Sequence, residues 1–132
     1  MAPWSTRGCK NIKNLFKAGN YAAIYYNTSN ATNCHVQFYM GIGGPSESNM
    51  NKAALTVDGQ WHQAIVNISS VVSSKKTANF LRFDPLHSDS GTIPSGATIS
   101  VKYIAFFDTE EDANRILLYI VFPDFYPLDP TL

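Results

Sequence analysis

The sequence predicts an all-β chain: an antiparallel β-sandwich of jelly-roll type with a short C-terminal helix. Three observations predict it. Short segments of alternating polarity recur along the chain, and turn-forming residues separate them. The polarity comes from 11 Asn, 12 Ser and 9 Thr rather than from charge, because charged residues make up only 15%, against roughly 25% in an ordinary globular chain. Aromatics reach 13%, and bulky rings suit pleated, half-buried surfaces. The length of 132 residues allows one two-layer core and is too short for a core plus a separate catalytic domain.

Residues 1–19 show no clear period and read as a lead-in segment. Residues 21–26 form a strand with Ala22, Ile24 and Tyr26 on one face and Tyr21, Ala23 and Tyr25 on the other. The polar cluster 27–33 reads as a turn. Residues 35–42 alternate most cleanly: Val36, Phe38 and Met40 face one way, and His35, Gln37 and Tyr39 face the other. A Gly/Ser-rich loop follows over 41–49. Residues 52–57 and 60–68 read as two strands of a hairpin, because Asp58-Gly59 between them is a tight-turn pair. A connection over 69–78 leads to a strand over 79–84, with Leu81 and Phe83 on one face and Phe80 and Arg82 on the other. Pro85 is expected to end it, since proline brings no N–H to a ladder. After a loop over 87–96, residues 97–107 form the last long strand. Thr109 can cap a helix, and Glu110, Glu111 and Asp112 favour its positive end, which predicts a short helix over 109–116. The apolar tail 116–132 carries Pro123, Pro127 and Pro130 and reads as a linker or edge segment. The sandwich module itself is assigned to residues 20–115.

The net charge is zero, whereas a nucleic-acid binder shows a basic excess, so no nucleic-acid partner is expected. No signal peptide is visible. The apolar run 116–122 is far shorter than the ~20 residues that span a bilayer, so no membrane span is expected either. Cys9 and Cys34 permit one disulfide and demand none. Sequons at Asn27, Asn30 and Asn67 are no more than this Asn/Ser/Thr-rich composition produces by chance. The sequence has no phosphate loop, no HExxH and no GxSxG. His35, His62 and His87 have no metal-ligand spacing, and no acid pair stands out for glycoside chemistry. The chain therefore reads as a non-enzyme that needs no cofactor. A structural calcium ion is the one exception considered, with Asp84 and Asp89 as its weak candidate ligands.

The polar-aromatic strand face is the informative feature. His35, Gln37 and Tyr39 project together, with Tyr25 and Arg82 beside them and Gln63, Asn67 and Lys102 available from other strands. A sugar needs this mixture: a flat ring to stack on the C–H face of a pyranose, and amides or a guanidinium to bond its hydroxyls. Trp61 is the largest platform. Taken alone it reads as a core residue; with the group, it joins the ligand-binding set. The expected site is Tyr25, His35, Gln37, Tyr39, Trp61 and Arg82.

The stretches DGQWHQAIVNIS (58–69), FLRFDPL (80–86) and ISVKYIAFFDTEEDA (99–113), with YYNTS (25–29) ahead of them, carry a family resemblance. They resemble the galactose-binding-like β-sandwich modules of bacterial multidomain secreted and surface proteins, a shape shared with many carbohydrate-binding modules. Asn27 stands where the family usually has arginine, and the tail from Ile116 matches nothing in the family. The resemblance implies that Leu81, Phe83, Tyr103, Ala105 and Phe107 belong to the core. It also implies an extracellular or cell-surface setting among neighbouring domains of a larger protein. The expected function is a non-catalytic carbohydrate-binding module whose partner is an oligosaccharide or polysaccharide. A structural or adhesion spacer with no sugar ligand is the alternative. Fold by itself does not choose between them.

Overall fold

The computed structural model describes residues 15–88, 90–122 and 124. The strands are β1 (Phe16–Lys17), β2 (Tyr21–Ser29), β3 (Cys34–Gly41), β4 (Met50–Ala54), β5 (Trp61–Asn67), β6 (Thr77–Ala78), β7 (Phe80–Ser88) and β8 (Thr98–Phe107), and one helix, α1 (Glu110–Val121), follows them. Two three-stranded antiparallel sheets, ordered β5-β2-β8 and β4-β3-β7, face each other, and β1 and β6 make a small ribbon. The β2–β3, β4–β5, β5–β7 and β7–β8 connections pass from one sheet to the other, and only β3–β4 stays within a sheet. That alternation is the sandwich logic of a jelly roll.

The core lies between the sheets. Ala22, Ile24, Tyr26, Ala64 and Val66 face it from one side; Val36, Phe38 and Met40 face it from the other, with Leu81 and Phe83 packed against them. The alternation expected for β2 and β3 is the one that forms, because each strand turns one side chain in two toward the opposite sheet. Each large apolar side chain among them contributes about 1.5–3 kcal/mol by leaving water. Tyr26 is buried to 2% exposure, and its hydroxyl accepts a hydrogen bond from the Thr56 backbone N–H at 2.8 Å. This ring therefore adds no unsatisfied polar atom and ties β2 to the chain leaving β4.

Among the described residues, one core-side polar atom lacks a partner. Asn51 on β4 stands opposite Phe38, and its buried Nδ2 makes no hydrogen bond. A buried donor left unmade costs about 1–3 kcal/mol. Asn51→Leu is expected to raise stability by about 1 kcal/mol, seen as a higher urea midpoint at unchanged slope. A lower midpoint would show that the amide is satisfied in solution.

The fold corrects several expectations. The Asp58-Gly59 pair does not close a hairpin: β4 pairs with β3, and β5 pairs with β2. The pair is a corner where the chain changes sheet. Gly59 takes φ 73° and sends its N–H across to the Thr28 carbonyl at 3.0 Å, while the Asp58 Oδ1 accepts from the Gln60 N–H at 2.9 Å. A local turn motif specifies a reversal but not which strand the returning chain pairs with.

Pro85 does not stop β7, which runs on to Ser88. The strand lies at a sheet edge, where a missing N–H leaves no ladder bond unmade. Pro85 and Leu86 also sit in a bulge, because the register passes from Gln37↔Asp84 to His35↔His87. At the chain ends, Phe16 and Lys17 pair with Ala78 and Thr77, so the end of the expected lead-in belongs to the fold. Gly19 is required just after it: its φ is +66°, and a Cβ there would run into the Phe107 carbonyl.

The helix begins as expected, with the Thr109 hydroxyl accepting from the Asp112 N–H at 3.1 Å, but it runs to Val121 rather than stopping at 116. Ala113, Ile116, Leu117 and Ile120 recur at helical spacing and form its less exposed side. The chain reaches no proline before Pro123, so nothing interrupts the ladder earlier. Asp89, Cys9 and the tail beyond Phe122, apart from Asp124, lie outside the described residues.

Strand β8 changes the core assignment. A bulge shifts the register from Tyr25↔Tyr103 to Tyr26↔Val101, leaving Lys102 unpaired. The side chains that pack against the core are Ile99, Ile104 and Phe106. Tyr103, Ala105 and Phe107, expected in the core, pair with Tyr25, Ala23 and Tyr21 on the outward side of the sheet. Leu81 and Phe83 do pack against the core, as expected.

Candidate functional site: an aromatic platform on the outer face of β5-β2-β8

The six expected site residues do not form one site. They divide between the outer faces of the two sheets. Tyr25 and Trp61 lie on β2 and β5, whereas His35, Gln37, Tyr39 and Arg82 lie on β3 and β7. The sequence shows alternation within a strand but not which strands share a sheet.

The β4-β3-β7 face is polar and closed. His35, Gln37 and Tyr39 are only 5%, 7% and 8% exposed, although they point away from the core. β3 is the central strand, and long side chains from its neighbours lie over it. The Arg82 guanidinium sits 4.6 Å from the centre of the Tyr39 ring. Its Nε and Nη2 donate to the two Asp84 carboxylate oxygens at 3.0 and 2.8 Å. The Tyr39 hydroxyl donates to Glu47 Oε1 at 3.1 Å. Burial, and then the Glu47 carboxylate, hold this phenol above its ordinary value, with Arg82 pulling it down. Gln37 Nε2 meets His35 Nε2 at 3.3 Å, and the His35 and His87 rings lie with centres 5.0 Å apart, tilted by 51°. These groups satisfy one another, which makes the face a structural network. Both Asp84 oxygens accept from Arg82, and Asp89, the other residue named for calcium, lies outside the described residues. A cleft of about 680 Å³ opens beside this face. Of the six expected residues, only His35 lines it, with its ring already held by Gln37 and His87.

The β5-β2-β8 face is different. Trp61 stands opposite Asn27 in the β5–β2 register and is 44% exposed, so it is a surface ring and not the core residue it reads as alone. Its ring centre lies 5.2 Å from that of Tyr25, tilted by 39°. Tyr25 in turn lies 5.6 Å from Tyr103, tilted by 35°. Tyr25 is 9% exposed, so it supports the indole from below and is not a contact residue in its own right. Aromatic ring pairs are worth about 0.5–1.5 kcal/mol beyond their buried area, and these tilted pairs help hold the exposed indole in place.

Polar groups extend from the ring cluster. The Tyr103 hydroxyl donates to Gln63 Oε1 at 2.8 Å, and Gln63 Nε2 donates to Asn114 Oδ1 at 3.3 Å. Burial, then Tyr25, pushes the Tyr103 phenol up from its ordinary value, so it stays a neutral donor. Asn114 comes from α1, which packs over one end of this sheet, where Ala113 and Ala23 are both fully buried. The Lys102 ammonium reaches to 5.9 Å from the Trp61 ring centre. The Asn27 amide donates to the Gly59 carbonyl at 2.8 Å and fixes the corner that leads into Trp61.

Tyr103 and Asn114 are the members of this platform that the sequence did not point to. Tyr103 is hidden by the bulge, which reverses the parity of β8. Asn114 is hidden because nothing local says that the helix returns to this face.

At the same corner, Asp58 accepts from His62 Nε2 at 2.9 Å. The Gln60 N–H first, then His62, hold the Asp58 carboxyl below its ordinary 3.8. A lowered folded-state pKa means that the carboxylate stabilises the fold above its unfolded value and loses that effect as the pH falls through the folded one. Wild type is therefore expected to exceed Asp58→Asn in stability at neutral pH, with the gap closing on acidification below about pH 4. Urea titrations across that range check it, and a gap that widens in acid contradicts the assignment.

No protein-family profile, no curated protein and no solved structure matches this chain. Among the described residues, no helix is long and apolar enough to cross a membrane.

Proposed function

We propose that the chain is a non-catalytic carbohydrate-binding module, of the galactose-binding-like kind its sequence resembles, that attaches a larger extracellular protein to glycans. The observation that carries this reading is the Trp61 indole, exposed on a sheet face and backed by Tyr25 and Tyr103. A rigid exposed ring offers its face to the C–H side of a pyranose. The Gln63 and Asn114 amides beside it both donate and accept, as sugar hydroxyls require. The platform is open, which suits an extended chain better than a single enclosed sugar. In support of a non-catalytic role, the described mid-chain acids Glu47, Asp58 and Asp84 accept hydrogen bonds from Tyr39, His62 and Arg82.

The test is binding of the purified chain to a broad panel of polysaccharides, by affinity electrophoresis and calorimetry. Saturable binding to at least one polymer is expected. The second reading, a spacer or adhesion domain with no sugar ligand, is favoured by the self-satisfied β4-β3-β7 face. Absence of binding across the panel, by a chain that melts cooperatively, would establish the spacer in place of the module.

A further inference from the structure

We propose that the platform takes an acidic glycan, with Lys102 pairing with a carboxylate or sulfate on the sugar that Trp61 stacks against. This rests on the carbohydrate reading above and deepens it. Lys102 is the extra residue of the β8 bulge, opposite no residue of β2. A bulge of this kind re-aims a side chain, and here it places the ammonium 5.9 Å from the centre of the exposed indole. Lys102 is exposed and makes no ion pair among the described residues.

The described ion pairs of the acids on this sheet's corner and helix do not involve Lys102. Asp58 is bonded to Gln60 and His62, and Glu111 and Asp112 are bonded to Arg115. Every other polar group of the platform is neutral: the Gln63 and Asn114 amides and the Tyr103 hydroxyl. The site thus carries beside its ring one positive charge that enters no ion pair among the described residues. A neutral sugar leaves that charge unused, and an anionic sugar meets it.

The experiment uses pairs of polymers that differ in charge alone: polygalacturonate against its methyl ester for carboxylate, and dextran sulfate against dextran for sulfate. Each is titrated into wild type, Lys102→Gln, Trp61→Ala and Lys75→Gln. Lys75 is an exposed lysine on the connection between β5 and β6 and controls for net charge. The acidic member of at least one pair is expected to bind tighter, and which pair it is identifies the anion. Lys102→Gln is expected to weaken that binding about threefold to fivefold, the scale of one exposed ion pair, and Lys75→Gln to leave it unchanged. Raising salt from about 0.05 M to about 0.5 M is expected to shrink the preference as screening sets in.

Equal binding of both members of each pair, abolished by Trp61→Ala, would overturn the acidic specificity and leave the carbohydrate reading standing. A preference that survives Lys102→Gln would overturn it as well, because the anion would then be read elsewhere. Failure of both acidic polymers to bind, by a chain that binds a neutral member of the broad panel, would overturn the acidic specificity alone; failure across the whole panel would remove both readings.

Discussion

Trp61→Ala is expected to reduce polysaccharide affinity about thirtyfold or more while the chain stays folded. An aromatic anchor at the centre of a binding surface typically carries 2 kcal/mol or more, which is about that factor. Folding should survive because Trp61 is 44% exposed and lies on the outward side of β5. Its loss removes a ring from the surface and opens no internal cavity. Trp61→Phe keeps a smaller stacking face and should retain part of the affinity. Tyr25→Ala is a poorer test of the same idea, because Tyr25 is buried beneath the indole. Calorimetric titration of the bound polymer checks the prediction, together with a thermal melt of each variant. An unchanged affinity in Trp61→Ala would move the site off this face.

The largest stability effect is expected at Phe38. Phe38→Ala should lower the unfolding free energy by about 3–5 kcal/mol and the Tm by roughly 10–20 °C. Phe38 is fully buried on the central strand β3, and its ring centre lies 5.3 Å from that of Phe83. Truncation leaves a cavity between two sheets that cannot close on it, because the flanking strands on both sides hold β3 in register. The hydrophobic transfer loss and the cavity term therefore add. Ile42, which is 50% exposed just past the same strand, is the comparison: Ile42→Ala should cost less than about 1 kcal/mol. Urea titrations of the two variants separate a two-sheet core from a surface-only effect. A loss below about 1 kcal/mol at Phe38 would contradict the core described here.

How much of this was legible in the sequence depends on the range of the interaction. Local periodicity placed Val36, Phe38 and Met40 on one side of β3 and Ala22, Ile24 and Tyr26 on one side of β2, and both sets face the core. Thr109 was readable as a cap because capping involves neighbours three residues apart. Pairing between distant strands was not readable. Asp58-Gly59 carries a hairpin signature, yet its flanking strands belong to different sheets, and nothing within the turn records the partner.

The same limit split the candidate site. Tyr25 and Tyr39 are both aromatic residues at outward positions, but only the sheet order separates their faces. Nor does outward position guarantee exposure. On β3 it does not, because a central strand is overlain by the long side chains of its neighbours, as Tyr39 is by Arg82. Tyr103 shows a third limit: one unpaired residue, Lys102, reverses the parity of the strand around it, and a bulge leaves no sequence mark as firm as Gly or Pro.

The most direct test of the central claim is a two-dimensional amide NMR titration of the labelled chain with oligosaccharide fragments of whichever polymer it binds. Shifts are expected to concentrate on the Trp61 indole N–H, the Gln63 and Asn114 side-chain amides and the backbone around Lys102 and Tyr103. The signals of His35, Gln37, Tyr39 and Arg82 should stay in place. Shifts centred on β3 and β7 instead, with the Trp61 indole unmoved, would contradict it.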